Sequence, residues 1–249
     1  MTELDLIIDL HKNSKRQGPG SEGETLKALG FMRLPSGRKL KMADIGCGSG
    51  GQTITLAQKV NGQVIAVDLF PKFLDELNER SERLGLKEKI VTLQKSMEDL
   101  PFESEEFDII WSEGAIYNVG FENGIKKWKD YLKIGGYLAV NEITWITNSR
   151  PKEIEDFWKQ EYAEVDPASN KIKILETNGY SLVGYFYLNQ DSWIENYYKP
   201  MEARFDAFLK RNNNSELARN VVEDNKSEIN LYLKYKDYYS YGFYIARKN

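Results

Sequence analysis

Cysteine and histidine are almost absent, because the 249 residues contain one of each. Cys47 has no partner for an internal disulfide, and Cys47 with His11 cannot form the cysteine- and histidine-rich cage of a structural zinc site. A Ser-His-Asp triad is nearly excluded as well, since His11 is the one imidazole available to it. The sequence therefore predicts no disulfide and no metal site.

Long apolar runs and an excess of positive charge are also missing. No stretch approaches the roughly 18 consecutive apolar residues of a membrane-spanning helix. The opening residues 1–6 are acidic where a secretory signal would be basic, so we expect a cytoplasmic protein without a membrane partner. The 34 basic and 38 acidic residues give a net charge of −4, which disfavours nucleic acid as a partner because no overall positive field attracts phosphates.

From residue 40 onward, short apolar runs alternate with helical stretches. Strands are predicted over 41–45, 64–68, 90–94, 107–111, 137–143, 181–188 and 239–247. Helices are predicted over 51–60, 71–84, 121–131, 151–162, 171–178 and, without interruption, 191–236. The alternation up to residue 143 is typical of an α/β fold with three layers and a doubly wound, mostly parallel sheet.

The strongest functional signal is a glycine-rich turn between a predicted strand and a predicted helix. It reads Asp44-Ile45-Gly46-Cys47-Gly48-Ser49-Gly50-Gly51, and such a turn lets backbone N–H groups approach an anionic ligand closely. Asp68 ends the next predicted strand, where a carboxylate can accept hydrogen bonds from ribose hydroxyls. These residues predict a nucleoside cofactor, and the turn by itself fits both S-adenosylmethionine and a nicotinamide dinucleotide.

Three further motifs follow in order: Leu100-Pro101-Phe102, the predicted strand Phe107-Asp108-Ile109-Ile110-Trp111, and the turn Leu132-Lys133-Ile134-Gly135-Gly136. With the glycine-rich turn they span residues 42–143, and in this order the segment resembles the class I S-adenosylmethionine-dependent methyltransferases. Within that superfamily the motifs are most similar to the small-molecule branch that includes the ubiquinone-biosynthesis C-methyltransferases.

The resemblance implies one Rossmann-like methyltransferase domain over residues 1–249, with a seven-stranded sheet whose last strand runs antiparallel beside the fifth. Residues 1–40 would form an amino-terminal cap, 41–144 the cofactor-binding half, and 145–249 the acceptor side, with helical insertions at 145–178 and 190–236. All five Trp and all 15 Tyr lie beyond residue 110, so we expect an aromatic acceptor pocket in the second half. The implied reaction is methyl transfer from S-adenosylmethionine to a small molecule.

The resemblance also assigns cofactor-binding roles to matching positions. One departure concerns adenine, since the chain has Lys95-Ser96-Met97 where the family often has Gly-Asp-Ala; a hydroxyl thus replaces the usual carboxylate. The implied roles are Asp44, Gly46, Cys47, Gly48, Ser49 and Gly50 for the methionine end, Asp68 for the ribose, Leu69, Ser96, Met97 and Glu98 for the adenine, and Arg16 and Gln17 for a cover from the amino-terminal segment. Glu113 is a further cofactor candidate, on the sulfonium side, from its place after the fourth predicted strand.

Four side chains are candidates for a catalytic role if the acceptor atom must lose a proton. Glu113 follows the fourth predicted strand and Glu142 lies near the end of the fifth, and the carboxyl ends of such strands flank the ligand crevice. Tyr117 and His11 are the other two.

The sequence is also compatible with other functions. A protein or RNA methyltransferase would use the same cofactor, and a nicotinamide-dependent oxidoreductase would use the same turn and Asp68. A non-catalytic protein that binds S-adenosylmethionine is the alternative outside enzymes. The sequence makes no prediction of the oligomeric state.

Overall fold

A mixed sheet of seven long strands organises the chain in the computed structural model, which describes residues 2–249. The strands are β1 (Leu40–Ile45), β2 (Gly62–Asp68), β3 (Ile90–Gln94), β4 (Phe107–Ser112), β5 (Leu132–Trp145), β7 (Tyr180–Tyr187) and β8 (Tyr239–Lys248); a two-residue strand, β6 (Asp166–Pro167), pairs with the end of β5.

The strand order is β3-β2-β1-β4-β5-β8-β7. Strands β1 to β5 run parallel, whereas β8 is inserted between β5 and β7 and runs antiparallel to both. The doubly wound fold and the antiparallel last strand beside the fifth are thereby confirmed. In this order the chain reverses direction across the sheet between β1 and β4, and ligands of such sheets bind outside the carboxyl ends of the strands at that point.

The helices cover both faces of the sheet. They are α1 (Glu3–His11), α2 (Glu22–Gly30), α3 (Gly51–Lys59), α4 (Pro71–Arg83), α5 (Phe121–Lys129), α6 (Lys152–Glu161), α7 (Ala168–Thr177), α8 (Gln190–Trp193), α9 (Lys199–Glu202), α10 (Phe205–Arg211) and α11 (Glu216–Tyr235). A 3₁₀ turn covers Ile116–Val119 and a π-helical turn covers Ile194–Tyr198. Among these described helices, none combines the length and apolar composition of a membrane span.

The prediction of an uninterrupted helix over 191–236 is wrong. The helix breaks before α11, where Asn213 and Asn214 have φ angles of 55° and 48°. This left-handed conformation ends an α-helix, and asparagine tolerates it better than most residues. Ser215 then caps α11 by accepting a hydrogen bond from the Ala218 amide.

Alternating residues of the strands place apolar side chains on both faces of the sheet. In β5, Tyr137 and Ala139 join one buried cluster, whereas Leu138 and Val140 join the cluster on the other face. A third cluster lies beyond the carboxyl end of β5, where α1 and the helices of 190–236 pack together around residues such as Trp145. The amino-terminal helix and the helical insertion thus share one core.

Phe243 gives a test of the sheet core. It lies fully buried on β8 between Trp111 and Phe186, with ring centroids 5.6 and 5.3 Å away. We expect Phe243→Ala to lower the free energy of unfolding by about 3–5 kcal/mol, measured by urea denaturation, because it removes a buried ring and leaves a cavity. The control Ile134→Ala, at a position 73% exposed, should change it by less than about 0.5 kcal/mol. Equal effects of both substitutions would contradict this account of the core.

Candidate active site

The glycine-rich turn leaves β1 and enters α3 with almost no room for side chains. Gly46 has a φ of 75°, and a Cβ there would lie 2.3 Å from the Cβ of Ala115. Gly48 has a φ of 54°, and a Cβ there would lie 2.0 Å from Oε1 of Gln17. Both positions therefore require glycine, and the turn brings backbone directly to the mouth of the sheet.

Asp68 at the end of β2 is held by backbone amides. Its Oδ2 accepts a hydrogen bond from the Gly48 amide at 2.8 Å, and its Oδ1 accepts one from the Phe70 amide at 2.9 Å. Burial raises the pKa of Asp68, while these amides oppose that rise. The carboxylate is thus fixed beside the turn, and its remaining lone pairs are free to accept hydroxyl hydrogens.

Asp44 lies behind the turn and is fully buried. Thr53 donates to its Oδ2 at 2.5 Å and Gln52 donates to its Oδ1 at 3.3 Å. Burial, with a smaller contribution from the charge of Glu113, raises the pKa of Asp44 to about 7. Because Gln52 also donates to the carbonyl of Cys47, Asp44 supports the turn from beneath.

The segment before α2 is anchored over the site by Glu113. Arg16 Nη1 donates to Glu113 Oε2 at 2.6 Å, while Thr25 Oγ1 and Trp111 Nε1 each donate to Oε1 at 2.8 Å. The Glu113 side chain is only 4% exposed. With three donors on its two oxygens, it holds Arg16 in place.

Gln17 links the same segment to the glycine-rich turn. Its Oε1 accepts a hydrogen bond from the Ser49 amide at 2.7 Å, and its Nε2 donates to Ser49 Oγ at 3.0 Å. Ser49 Oγ in turn donates to the carbonyl of Ser14 at 2.6 Å. The amino-terminal segment therefore contacts the glycine-rich turn directly.

These elements enclose a cavity of about 430 Å³ at the carboxyl ends of β1, β2 and β4. Of the residues predicted from the sequence to bind a cofactor, most line it: Arg16, Gln17, Gly46, Cys47, Gly48, Asp68, Leu69, Ser96, Met97, Glu98 and Glu113. Asp44, Ser49 and Gly50 do not; Asp44 lies beneath the turn, Ser49 faces the amino-terminal segment, and Gly50 packs on Leu77 of α4.

The catalytic candidates are dispersed. Glu113 and Tyr117 line the cavity, whereas Glu142 and His11 do not. His11 stacks on Tyr197 at 6.0 Å, and burial, followed by the charge of Arg204, lowers its pKa to about 4. Its imidazole is therefore neutral near pH 7. Among the described residues, no three His, Cys, Asp or Glu side chains come together as a possible metal site.

Glu142 forms a buried pair with Lys171, a residue that sequence reasoning missed. Both side chains are 1% exposed, and Lys171 Nζ lies 4.0 Å from Glu142 Oε1. Within residues 2–249 neither Glu142 oxygen accepts a hydrogen bond. Burial raises the pKa of Glu142 and lowers that of Lys171, so the two groups compete for a proton.

A second cavity, of about 330 Å³, adjoins the first through Tyr117, which lines both. Its wall comes from α6, the helices of 190–236 and β8, and includes Trp193, Tyr198 and Glu228. The abundance of aromatic residues beyond residue 110 led us to expect an aromatic pocket in the second half of the chain. The sequence around Glu228, which is rich in charged residues, did not indicate that this residue lines a cavity. Phe70 and Phe73 also line the first cavity and were not predicted.

Comparison with known proteins agrees with this geometry. Residues 43–140, which cover β1 to most of β5, match the family described as a methyltransferase domain. A solved S-adenosylmethionine-dependent methyltransferase from Geobacter sulfurreducens, in complex with S-adenosyl-L-homocysteine, superposes with a TM-score of 0.86 over 98% of both chains at 17% identity.

Two curated relatives each match part of the chain. One is 27-O-demethylrifamycin SV methyltransferase from Amycolatopsis mediterranei, 24% identical over 49% of this chain and 44% of its own. The other is sarcosine/dimethylglycine N-methyltransferase from Aphanothece halophytica, 29% identical over 41% of this chain and 37% of its own. The chain therefore spans less than half the length of these two relatives.

The chain carries a methyltransferase domain and has the fold of the S-adenosylmethionine-dependent methyltransferases. The resemblance noted in the sequence is thus confirmed for the domain and for the fold. The inserted antiparallel β8 agrees with this class and disfavours a nicotinamide-dependent oxidoreductase, whose dinucleotide fold is typically built from two parallel halves.

Asp44 gives a pH-dependent prediction. Its pKa is about 7 in the folded protein against an ordinary value of 3.8, so the folded state binds this proton more tightly than the unfolded state. The stabilisation is complete below the unfolded pKa and is lost as pH rises through the folded pKa. Between pH 5 and 8, we expect the free energy of unfolding of the natural protein to fall by about 2–3 kcal/mol relative to that of Asp44→Asn.

Urea denaturation of both proteins at the two pH values measures this difference, and every other titrating group cancels because both proteins share it. Asp75→Asn, at an exposed position of α4, is the matched control and should show no such change. A difference between Asp44→Asn and the natural protein that is the same at both pH values would contradict the assignment.

Proposed function

We propose that this chain transfers a methyl group from S-adenosylmethionine to a small-molecule acceptor. The observation that carries the proposal is the pair of adjoining cavities: one is walled by the glycine-rich turn and Asp68, the other is aromatic, and Tyr117 lies between them. A site for a nucleoside cofactor beside a site for a second small molecule is the arrangement that a group transfer requires.

The first cavity fits the cofactor in size and chemistry. When bound, S-adenosylmethionine supplies an electrophilic methyl group on a sulfonium. We assign its ribose hydroxyls to the free lone pairs of Asp68, and its adenine to the wall that contains Leu69, Met97 and Glu98. We assign the methionine end to the backbone of Gly46 and Gly48, which lines the same cavity.

We assign to the amino-terminal segment the role of closing the cofactor site. Arg16 lines the cavity, and its guanidinium is held by Glu113 and Thr25. A cation in this position balances a carboxylate of the cofactor. Because Gln17 also bonds to Ser49, residues 1–40 act as a cap on the half formed by 41–144, and the whole chain works as one domain.

The acceptor side follows from the second cavity. Its volume of about 330 Å³ suits a small molecule rather than a folded protein or a nucleic acid. The two relatives named above act, by their names, on a rifamycin and on sarcosine or dimethylglycine, which are small molecules. Residues 145–249 therefore supply the acceptor pocket.

Orientation of the reactants is the main contribution of the protein to this reaction, and it is worth about 7–11 kcal/mol of the barrier in well-aligned cases. Tyr117 is placed to contact the acceptor, since it faces both cavities. Glu142 lines neither cavity and lies beside Lys171, so its carboxylate does not contact an acceptor in this geometry.

Ligand-induced thermal stabilisation tests the cofactor. S-adenosylmethionine or S-adenosylhomocysteine at a hundred times its dissociation constant adds about 2.7 kcal/mol to the stability, so the unfolding midpoint should rise by roughly 5–10 °C. Asp68→Ala should abolish this rise because it removes the carboxylate that we assign to the ribose. Asp75→Ala, on the exposed face of α4, is the control and should respond like the natural protein.

NADH is the competing ligand in the same measurement. A midpoint raised by NADH alone, or an Asp68→Ala protein that still responds fully to both adenosyl ligands, would refute the proposed cofactor site. Transfer of a labelled methyl group to a panel of small molecules then tests the reaction itself.

A further inference from the structure

The second cavity has an unusual wall. Of the twelve residues that line it, eight are aromatic, namely Tyr117, Phe157, Trp158, Tyr162, Trp193, Tyr198, Tyr239 and Tyr241. Trp193 stacks on Tyr241 with ring centroids 5.1 Å apart, and Trp158 meets Tyr239 edge to face at 5.1 Å. The cavity is therefore bounded by ring faces and edges that neighbouring rings hold in position.

The charged side chains in this wall are all acidic. Glu161 and Glu228 line the cavity, and its lining contains no lysine or arginine. Lys171 lies over the ring of Tyr162 at 5.6 Å, but its Nζ is directed to Glu142 and it does not line the cavity. The described residues thus leave the two carboxylates without a cation on the cavity side.

Glu228 is the more informative of the two acids. Tyr198 donates to its Oε1 at 2.9 Å, which fixes the carboxylate in the wall, and no ion pair of Glu228 occurs among the described residues. Glu228 as a residue is exposed, while the protein atoms packed around its carboxyl group raise its pKa. Both facts follow if the exposed surface of Glu228 faces the cavity.

We infer that the second cavity binds a small organic amine in its cationic form, with Glu228 as the partner of the ammonium group. This inference deepens the proposed function, on which it rests for the role of the cavity as the acceptor site.

The chemistry of the wall selects a cation over the other ligand classes. A cationic amine gains a charge-assisted hydrogen bond to the carboxylate and attraction to the ring faces. A neutral ligand that covers this exposed carboxylate displaces its water without supplying a counter-charge, which is costly. An anionic ligand is repelled by Glu161, Glu228 and the negative faces of the rings.

Calorimetric titration of the full chain with three probes of similar shape tests the inference. The probes are 2-phenylethylamine, 2-phenylethanol and 3-phenylpropanoate, which are cationic, neutral and anionic at pH 7. We expect the amine to bind about 10- to 100-fold more tightly than the alcohol, the range that a hydrogen bond to a charged group supplies. The carboxylate probe should bind more weakly than the alcohol.

Glu228→Gln should reduce the preference for the amine over the alcohol to about one, because the amide keeps the hydrogen bond with Tyr198 but carries no charge. Tyr198→Phe should retain the preference, since the carboxylate remains. Glu223→Gln is the matched control on the same helix, where the carboxylate is exposed and paired with Lys226, and it should bind all three probes like the natural protein.

The inference is overturned if the alcohol binds as tightly as the amine, if the carboxylate probe binds best, if no probe binds, or if Glu228→Gln keeps the preference. Titration with S-adenosylhomocysteine in the same samples separates the two proposals. Cofactor binding without amine preference refutes this inference alone, whereas amine preference without cofactor binding refutes the proposed function and leaves the cationic site standing.

Discussion

The buried carboxylate of Glu113 is the contact on which the site depends. It lies immediately after β4 and accepts hydrogen bonds from Arg16, Thr25 and Trp111, which belong to the amino-terminal segment, to α2 and to β4 itself. Removing one partner of a buried ion pair typically costs 3–5 kcal/mol, because the other charge stays buried without compensation. One carboxylate therefore joins the cap to the centre of the sheet.

The cap and the glycine-rich turn constrain each other. Glycine at position 48 lets Gln17 approach the backbone, and Gln17 then satisfies the amide of Ser49 at the start of α3. Asp44 holds the same turn from the opposite side through Thr53 and Gln52. The cavity wall is consequently rigid on the side of the turn, and pre-organisation of this kind lowers the entropic cost of binding.

The second cavity and the aromatic residues around it depend on a different set of packing contacts. Leu6 and Leu10 of α1 pack into the same cluster as residues of α10, α11 and the end of β5. The helices that wall the second cavity are thus held by the amino-terminal helix as well as by the sheet. This shared core holds α11, from which Glu228 reaches the wall of the second cavity, although α1 and α11 lie far apart in the sequence.

The sequence alone determined the sheet, the glycine-rich turn and Asp68, because hydrophobic periodicity, glycine spacing and the carboxylate at a strand end are local patterns. The sequence did not reveal the helix break at Asn213 and Asn214, since neither residue forbids a helix by itself. The partners of Glu113, the pairing of Glu142 with Lys171 and the place of Glu228 among aromatic rings arise from contacts between residues far apart in the chain. Tertiary packing alone decides such contacts, because burial and charge pairing depend on which distant segments meet.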